Sequence, residues 1–235
     1  MGHEYVGAGV VTRRNDVMPE ETHYRLVGVV DDTQLTWDPA PPTGAPSTLK
    51  RGDVLEFAST GYFFVAAQDQ DHPFSLTQYL GGAWTGSRPG CGPVPPFPNA
   101  ACGLGDEEWV IMTPPAQFLK RYVFFVDPTY ATTNLVITRQ IGPNGFSDVE
   151  IACLGKVEDF KPVGNGGTYE VAHVDLFRGF VGTKPECETS NHSATSKGDF
   201  GMTVWGTDYY ASYGYPAGGN LSSLTTVVVK PEPPK

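Results

Sequence analysis

Short runs of alternating apolar and polar residues recur along the chain, each closed by glycine, proline, asparagine or aspartate. Residues 24–30 (YRLVGVV) are rich in β-branched and aromatic side chains and end at two turn-forming aspartates. Farther along, Val149, Ile151 and Cys153 fall on one face, because side chains alternate along a strand. Apolar positions at helical spacing are scarce. The pattern predicts an all-β protein built from short strands.

The two halves of the chain show an internal resemblance. The most specific match sets residues 74–77 (FSLT) beside residues 200–203 (FGMT). Both segments are followed, two residues later, by an aromatic residue, Tyr79 or Trp205. Three further matches are Tyr5-Val6 with Tyr122-Val123, Leu26-Val27 with Leu135-Val136, and residues 54–57 with residues 174–177. The alternative is a chance match between two β-rich halves, because the spacing between matches varies.

We therefore predict two related, jelly-roll-like β-sandwich modules in tandem, packed together. A single larger sandwich or a propeller segment is the alternative. The predicted segments are a first β module (residues 1–80), a disulfide- and proline-rich connecting loop (81–118), a second β module (119–225) and a proline-rich C-terminal linker (226–235). The loop contains GCGPVPPFP, and proline lacks the N–H that a β-ladder needs. The linker indicates a spacer to further domains of a longer chain.

Charge narrows the classes of partner. The formal net charge is −10, whereas a nucleic-acid binder needs a basic face to displace counterions. Acidity also argues against docking on anionic lipids, and the chain has no run of about 18 apolar residues that would predict a membrane span. We expect neither nucleic-acid binding nor membrane insertion. The opening MGHE is unlike a signal peptide, so we expect a fragment of a longer secreted chain.

Cysteine usage bears on the compartment. Cys91, Cys102, Cys153 and Cys187 form no Cys-x-x-Cys pair, and an even number in a turn-rich chain favours two disulfides and an oxidising compartment. We favour Cys91–Cys102 and Cys153–Cys187, because the members of each pair lie within one segment. The alternative is four buried free thiols in a cytosolic protein, since cysteine also packs as a small apolar residue.

Three segments carry a resemblance to a known family. They are residues 122–130 (YVFFVDPTY), residues 199–206 (DFGMTVWG) and, most specific, residues 212–218 (SYGYPAG). Together they resemble the N-terminal domain of IgG Fc-binding proteins of mucus, a domain also found in many bacterial surface proteins. Residues 24–28 (YRLVG) and 35–39 (LTWDP) are similar to the bacterial branch. The resemblance implies a β-rich extracellular binding or adhesion module without catalytic residues.

No catalytic motif contradicts that expectation. The chain lacks Gly-x-Ser-x-Gly and the histidine spacings of zinc sites, so we predict that it is not an enzyme and needs no cofactor. The densest polar cluster, around Asp69 and Asp71, has Ca²⁺ binding as one interpretation, because hard cations prefer several carboxylate oxygens. An ordinary turn between two strands is the other.

Aromatic residues suggest where a ligand would bind. Trp205, Tyr209, Tyr210, Tyr213 and Tyr215 cluster near the C-terminus, and exposed tyrosine offers a large contact area at a low entropic cost. The alternative is that these rings fill the sandwich core. We predict an extracellular or cell-surface module that recognises a protein or glycoprotein, with a carbohydrate-binding module attached to a larger secreted protein as the alternative.

Overall fold

The computed structural model describes residues 1–10, 13, 20–82, 104–221 and 224–227. In the first half the strands are β1 (Glu4–Gly7), β2 (Thr22–Gly28), β3 (Thr33–Asp38), β4 (Thr48–Leu49), β5 (Val54–Ser59), β6 (Phe63–Ala67), β7 (Phe74–Leu80) and β8 (Glu108–Ile111). In the second half they are β9 (Leu119–Phe125), β10 (Thr132–Gln140), β11 (Val149–Ile151), β12 (Gly155–Lys156), β13 (Lys161–Val163), β14 (Tyr169–Arg178), β15 (Val181–Gly182), β16 (Asn191–Asp208) and β17 (Ala211–Pro216). Short 3-10 helices occupy Pro115–Gln117 and Pro185–Cys187. The all-β prediction is confirmed.

The first unit, β1 to β8, is a sandwich of two antiparallel sheets. Sheet A1 has the strand order β5-β2-β7-β8 and sheet B1 has the order β1-β6-β3-β4. Burial alternates along the strands, as in β2, where Tyr24 and Leu26 face inward. Between the sheets lies one core made of Tyr5, Tyr24, Leu26, Leu35, Leu49, Phe57, Phe63, Val65, Ala67, Phe74 and Leu76.

The second unit, β9 to β17, repeats this arrangement in one continuous sheet. Its long strand β16 spans 18 residues and serves two groups of strands. Sheet A2, β14-β10-β16-β17, uses the C-terminal part of β16, and sheet B2, β9-β16-β11-β12, uses its N-terminal part. A register shift between Thr195 and Phe200 separates the two parts. The core between A2 and B2 includes Tyr122, Leu135, Ile137, Val149, Ile151, Ala194, Phe200, Met202 and Val204.

Strand order relates the two units. Strands β14, β10, β16 and β17 of A2 follow one another in the same order as β5, β2, β7 and β8 of A1. Likewise, β9, β16, β11 and β12 of B2 follow the order of β1, β6, β3 and β4 of B1, and β13 and β15 are added beside β14. A shared tyrosine motif supports the correspondence. Tyr5 donates its hydroxyl hydrogen bond to the Phe74 carbonyl at 2.9 Å, and Tyr122 donates to the Phe200 carbonyl at 2.6 Å. The prediction of two related sandwiches packed together therefore agrees with the observed pairing.

Registers refine the residue matches made from the sequence. Leu26 pairs with Leu76, whereas Ile137 pairs with Met202. Since Leu76 and Met202 each lie two residues after the matched phenylalanine, Leu26 corresponds to Ile137 and not to Leu135. The sequence match was wrong by two residues because both strands carry inward apolar side chains at every second position.

A third apolar cluster joins the units. The outer face of sheet B1, with Val6 and Phe64, packs on the outer face of sheet A2, with Val171 and Trp205. The Phe64 and Tyr169 rings stack with their centroids 5.4 Å apart. The other members of the cluster are Ala8, Val10, Leu80, Val110, Phe118, Val136, Val163 and Tyr169. The four sheets therefore lie in the order A1, B1, A2, B2.

Polar contacts fix the same boundary. The carboxylate of Asp38, in the first unit, accepts hydrogen bonds from the backbone N–H groups of Asn165 and Gly166 in the second, at 2.8 to 3.0 Å. Nε2 of His173 lies 3.0 Å from the Ala8 carbonyl oxygen. Burial lowers the pKa of His173, so the ring is neutral at pH 7 and its Nε2–H donates this bond. The exact limits of the two modules stay a prediction.

Part of the segment expected to be a connecting loop is regular structure. Residues 108–111 form β8, which pairs with β7 at the edge of sheet A1. Most of its cysteine- and proline-rich stretch, including the favoured Cys91–Cys102 pair, lies outside the described residues. The C-terminal linker from residue 228 also lies outside them.

Candidate binding surface

The outer face of sheet A1 carries exposed apolar side chains that strand pairing brings together. Tyr79 of β7 pairs with Trp109 of β8, and Thr77 pairs with Ile111. Their neighbours Gln78 and Val110 are buried, and side chains alternate across a sheet. Trp109 and Ile111 are therefore directed to solvent, and each is 54 % exposed. Large apolar side chains grouped on a soluble surface mark interaction sites.

A groove runs along this face. It has a volume of about 820 Å³, and its lining combines apolar side chains with a few polar ones. The lining residues include Arg25, Thr77, Tyr79, Trp109, Ile111 and Gln117. A concave, mainly apolar surface with a few convergent polar groups is typical of a recognition site.

Arg25 supplies the charge in the groove. Its guanidinium carbon lies 4.9 Å from the centre of the Tyr79 ring, and its Nε and Nη2 donate to Oε1 of Glu56 at 2.8 and 2.5 Å. The hydrogen bond to Glu56 raises the pKa of Arg25. Because the pair is exposed, it adds little stability, but it holds the guanidinium beside an aromatic ring. Tyrosine, tryptophan and arginine are the residues enriched at binding hot spots.

The aromatic residues predicted to bind ligand lie apart from this groove. Trp205 is only 2 % exposed, because it packs into the cluster between the units. Its Nε1 has no hydrogen-bond partner among the described residues. The hydroxyl of Tyr213 accepts a bond from the Asp127 N–H at 3.1 Å, and that of Tyr215 accepts one from the Phe125 N–H at 3.0 Å. Tyr213 and Tyr215 therefore tie β17 to β9 and the segment that follows it, whereas Trp205 packs between the two units.

Two of the predicted residues are accessible. Tyr209 and Tyr210 are exposed at the turn between β16 and β17, and their ring centroids lie 4.6 Å apart. Tyr210 has a positive φ of 48°, which is uncommon outside glycine and turns the backbone sharply. The structure thus divides the predicted cluster into an exposed pair and three packed residues.

The aspartates proposed for Ca²⁺ are engaged in hydrogen bonds. Oδ1 of Asp69 accepts a hydrogen bond from the Asp71 N–H at 2.9 Å and lies 2.6 Å from Nδ1 of His72. The hydrogen bond with His72 lowers the pKa of Asp69. Oδ1 of Asp71 accepts a bond from the hydroxyl of Thr226 at 3.0 Å. Among the described residues, no three His, Cys, Asp or Glu side chains are grouped to hold a metal ion. The calcium alternative stays a prediction.

The predicted disulfide in the second unit is confirmed. Cys153 and Cys187 are bonded, with their Cα atoms 5.1 Å apart. The bond joins the turn after β11 to the 3-10 helix Pro185–Cys187. Cys187 is fully buried and belongs to the core of the second unit.

Sequence reasoning missed Trp109, Ile111 and Arg25 as surface residues. Strand β8 could have been predicted from residues 108–111 (EWVI), because they include an aromatic and two β-branched residues. It was overlooked because it follows a long proline-rich stretch that cannot form a ladder.

Comparisons with known proteins place the geometry in context. A family model described as IgGFc binding protein matches residues 1–206. No curated protein and no solved structure matches the chain. The described part of the chain also contains no helix long and apolar enough to cross a membrane.

Proposed function

Because the chain belongs to the IgGFc binding protein family, whose model covers residues 1–206, we propose that it is an extracellular binding or adhesion module that recognises a protein or glycoprotein. We propose the outer face of sheet A1 as its contact surface. The observation that carries this choice is the exposed pair Trp109 and Ile111 beside the half-buried Tyr79 and Arg25. The function requires no catalysis, since binding in such a groove needs only burial and complementarity.

Several features support the extracellular setting. The Cys153–Cys187 disulfide is a bond that persists in oxidising compartments. The segments YRLVG and LTWDP suggest a bacterial surface protein as the source. The proline-rich C-terminal residues suggest attachment to further domains of a longer chain.

Truncation of the groove residues tests the proposal. The immobilised full chain is compared with Trp109→Ala and Ile111→Ser for capture of proteins from surface and matrix extracts, and of a purified Fc fragment as the first defined probe. A buried aromatic hot spot contributes about 2 kcal/mol or more, so Trp109→Ala should weaken a captured ligand at least about tenfold.

A matched variant controls for nonspecific effects of the substitution. Ile141 is also exposed but lies in the turn after β10, away from sheet A1, so Ile141→Ser should leave capture unchanged. Equal capture by Trp109→Ala, Ile111→Ser and the unaltered chain would refute the choice of face. Failure to capture any ligand would refute the binding function itself.

A carbohydrate ligand is the second candidate. It is favoured by the exposed pair Tyr209 and Tyr210, since adjacent accessible rings can stack on sugars. A glycan array tests it directly. Signal lost in a Tyr209→Ala/Tyr210→Ala variant but retained in Trp109→Ala would support this site, whereas an array without signal would reject it.

A further inference from the structure

The outer faces of sheets A1 and B2 lie at the two ends of the stack and are exposed. The equivalent faces in the other unit, the outer faces of A2 and B1, are buried against each other inside the stack. Sheet A1 corresponds to sheet A2, which B1 covers, and sheet B2 corresponds to sheet B1, which covers A2. The outer faces of A1 and B2 therefore belong to the two kinds of surface that already pack together once in this chain. In a tandem repeat, such end surfaces resemble the internal contact unless their outer positions are polar.

Strand β9 gives sheet B2 two apolar side chains at outer positions, whereas neighbouring outer positions such as Glu150 and Thr195 are polar. Tyr5 and Tyr122 are equivalent through their bonds to Phe74 and Phe200. The next residues, Val6 and Val123, are therefore equivalent too. Val6 is 4 % exposed inside the B1–A2 contact, whereas Val123 is 69 % exposed on B2.

Two residues farther along the chain the pattern repeats. Ala8 is buried in the B1–A2 contact, and its counterpart Phe125 is 53 % exposed. Val123 and Phe125 lie two residues apart and therefore on the same face of β9, where they form one small apolar patch. Their side chains occupy the positions through which B1 reaches A2.

Sheet A1 likewise has an accessible aromatic residue whose counterpart in the other unit is buried. Tyr79 and Trp205 each lie five residues after the matched phenylalanines Phe74 and Phe200, so they occupy equivalent outer positions. Trp205 is buried under the first unit, whereas Tyr79 lines the open groove with Trp109 and Ile111.

We propose that the outer face of sheet B2 of one copy of this chain docks on the outer face of sheet A1 of a second copy, repeating the internal B1–A2 contact. The inference rests on the proposed function, because it names the partner of the same face. The contact is heterologous, since it joins two different surfaces, so it leaves one free A1 face and one free B2 face at the ends of each assembly. Adhesion through this face is then homotypic.

The contact between copies is weaker than the internal one. Internally, Phe64 stacks on Tyr169. Registers make Ser193 the counterpart of Phe64, so the new contact lacks this aromatic pair. Two chains of net charge −10 also repel each other. We therefore expect reversible association rather than a permanent dimer.

Complementary variants give a decisive test. Sedimentation velocity of the full chain is measured in physiological salt, which screens the repulsion, at concentrations up to about 1 mM, where a millimolar Kd still leaves a large associated fraction. The unaltered chain should sediment faster as its concentration rises. Trp109→Asp, which blocks A1, and Val123→Asp, which blocks B2, should each remain monomeric alone. An equimolar mixture of the two should form dimers and nothing larger, because together they retain one intact pair of faces.

Further variants keep the test independent of folding defects. Ile111→Asp and Phe125→Asp should reproduce the pair, and circular dichroism confirms that each variant folds. Val181→Asp is the control, because Val181 is exposed on β15, away from both faces, and it should associate like the unaltered chain. A monomeric unaltered chain, a mixture that stays monomeric, or a Val123→Asp variant that associates normally overturns the proposal. If capture of a different protein still depends on Trp109 in that case, the proposed function stands and only its homotypic partner is wrong.

Discussion

Each unit has one tyrosine near its start, Tyr5 or Tyr122, in the same hydrogen-bonded arrangement. We expect the two tyrosines to make similar contributions to the free energy of unfolding. In the first unit, the Tyr5 hydroxyl accepts a hydrogen bond from the Gly2 N–H at 2.9 Å and donates one to the Phe74 carbonyl at 2.9 Å. In the second, Tyr122 accepts from the Leu119 N–H at 3.1 Å and donates to the Phe200 carbonyl at 2.6 Å. Burial raises the pKa of both tyrosines to about 12, so both hydroxyls keep their proton at neutral pH.

Substitution by phenylalanine isolates the hydroxyl from the ring. The rings of Tyr5 and Phe74 lie 5.0 Å apart and those of Tyr122 and Phe200 lie 4.9 Å apart, and Tyr→Phe retains these edge contacts. Each variant loses two hydrogen bonds and leaves one backbone N–H and one carbonyl short of a partner, which costs about 1–3 kcal/mol. The two sites share no partner, so the double variant should lose about 2–6 kcal/mol.

Urea unfolding followed by circular dichroism and by tryptophan fluorescence measures this loss. For a chain of this size, 1 kcal/mol corresponds to a change in Tm of about 2–4 °C. The control is Tyr210→Phe, because that side chain is exposed, and it should change stability by less than about 0.5 kcal/mol. Neutral behaviour of both Tyr5→Phe and Tyr122→Phe would refute the reasoning. A loss of stability in only one of the two variants would show that the units share the geometry of this contact but not its contribution to stability.

Two other features yield predictions. The Cys153–Cys187 bond closes a loop with a sequence separation of 34, and the chain-entropy model gives such a bond a stabilisation of about 4 kcal/mol. The double Cys→Ala variant should therefore unfold at a markedly lower urea concentration. An unchanged unfolding midpoint would contradict that model. Burial lowers the pKa of His173 in the folded chain, so the unfolded chain binds more protons as the pH falls below the ordinary histidine value of about 6.5. Stability should therefore fall with decreasing pH in that window, and less so in His173→Gln, whereas parallel pH profiles of Tm would argue against a role for this histidine.

Local sequence pattern was enough to predict the strands that face a core. Inward and outward side chains alternate along β2, and the Phe-x-apolar-Thr motif located the equivalent strands β7 and β16. The Cys153–Cys187 pair was predictable because both cysteines lie within one segment of the chain. By contrast, the full length of β16 was not predictable. Residues 195–199 (TSKGD) show no apolar alternation, since they lie where the strand leaves one sheet for the other.

Equivalent residues of the two units can differ in burial, and the sequence of either strand does not predict this difference. Tyr79 and Trp205 occupy equivalent positions, with the same motif before them, yet one lines a groove and the other is buried. Nothing in either strand determines this difference, because it depends on which unit has a neighbour on its A face. Trp205 was predicted to bind ligand because it clusters with tyrosines, and exposed tyrosine is a good contact residue. In the structure, the first unit covers Trp205. In a stack of equivalent sandwiches, the faces at the two ends are the ones left for partners, so Trp109 and Val123 are the positions where substitution should separate binding from folding.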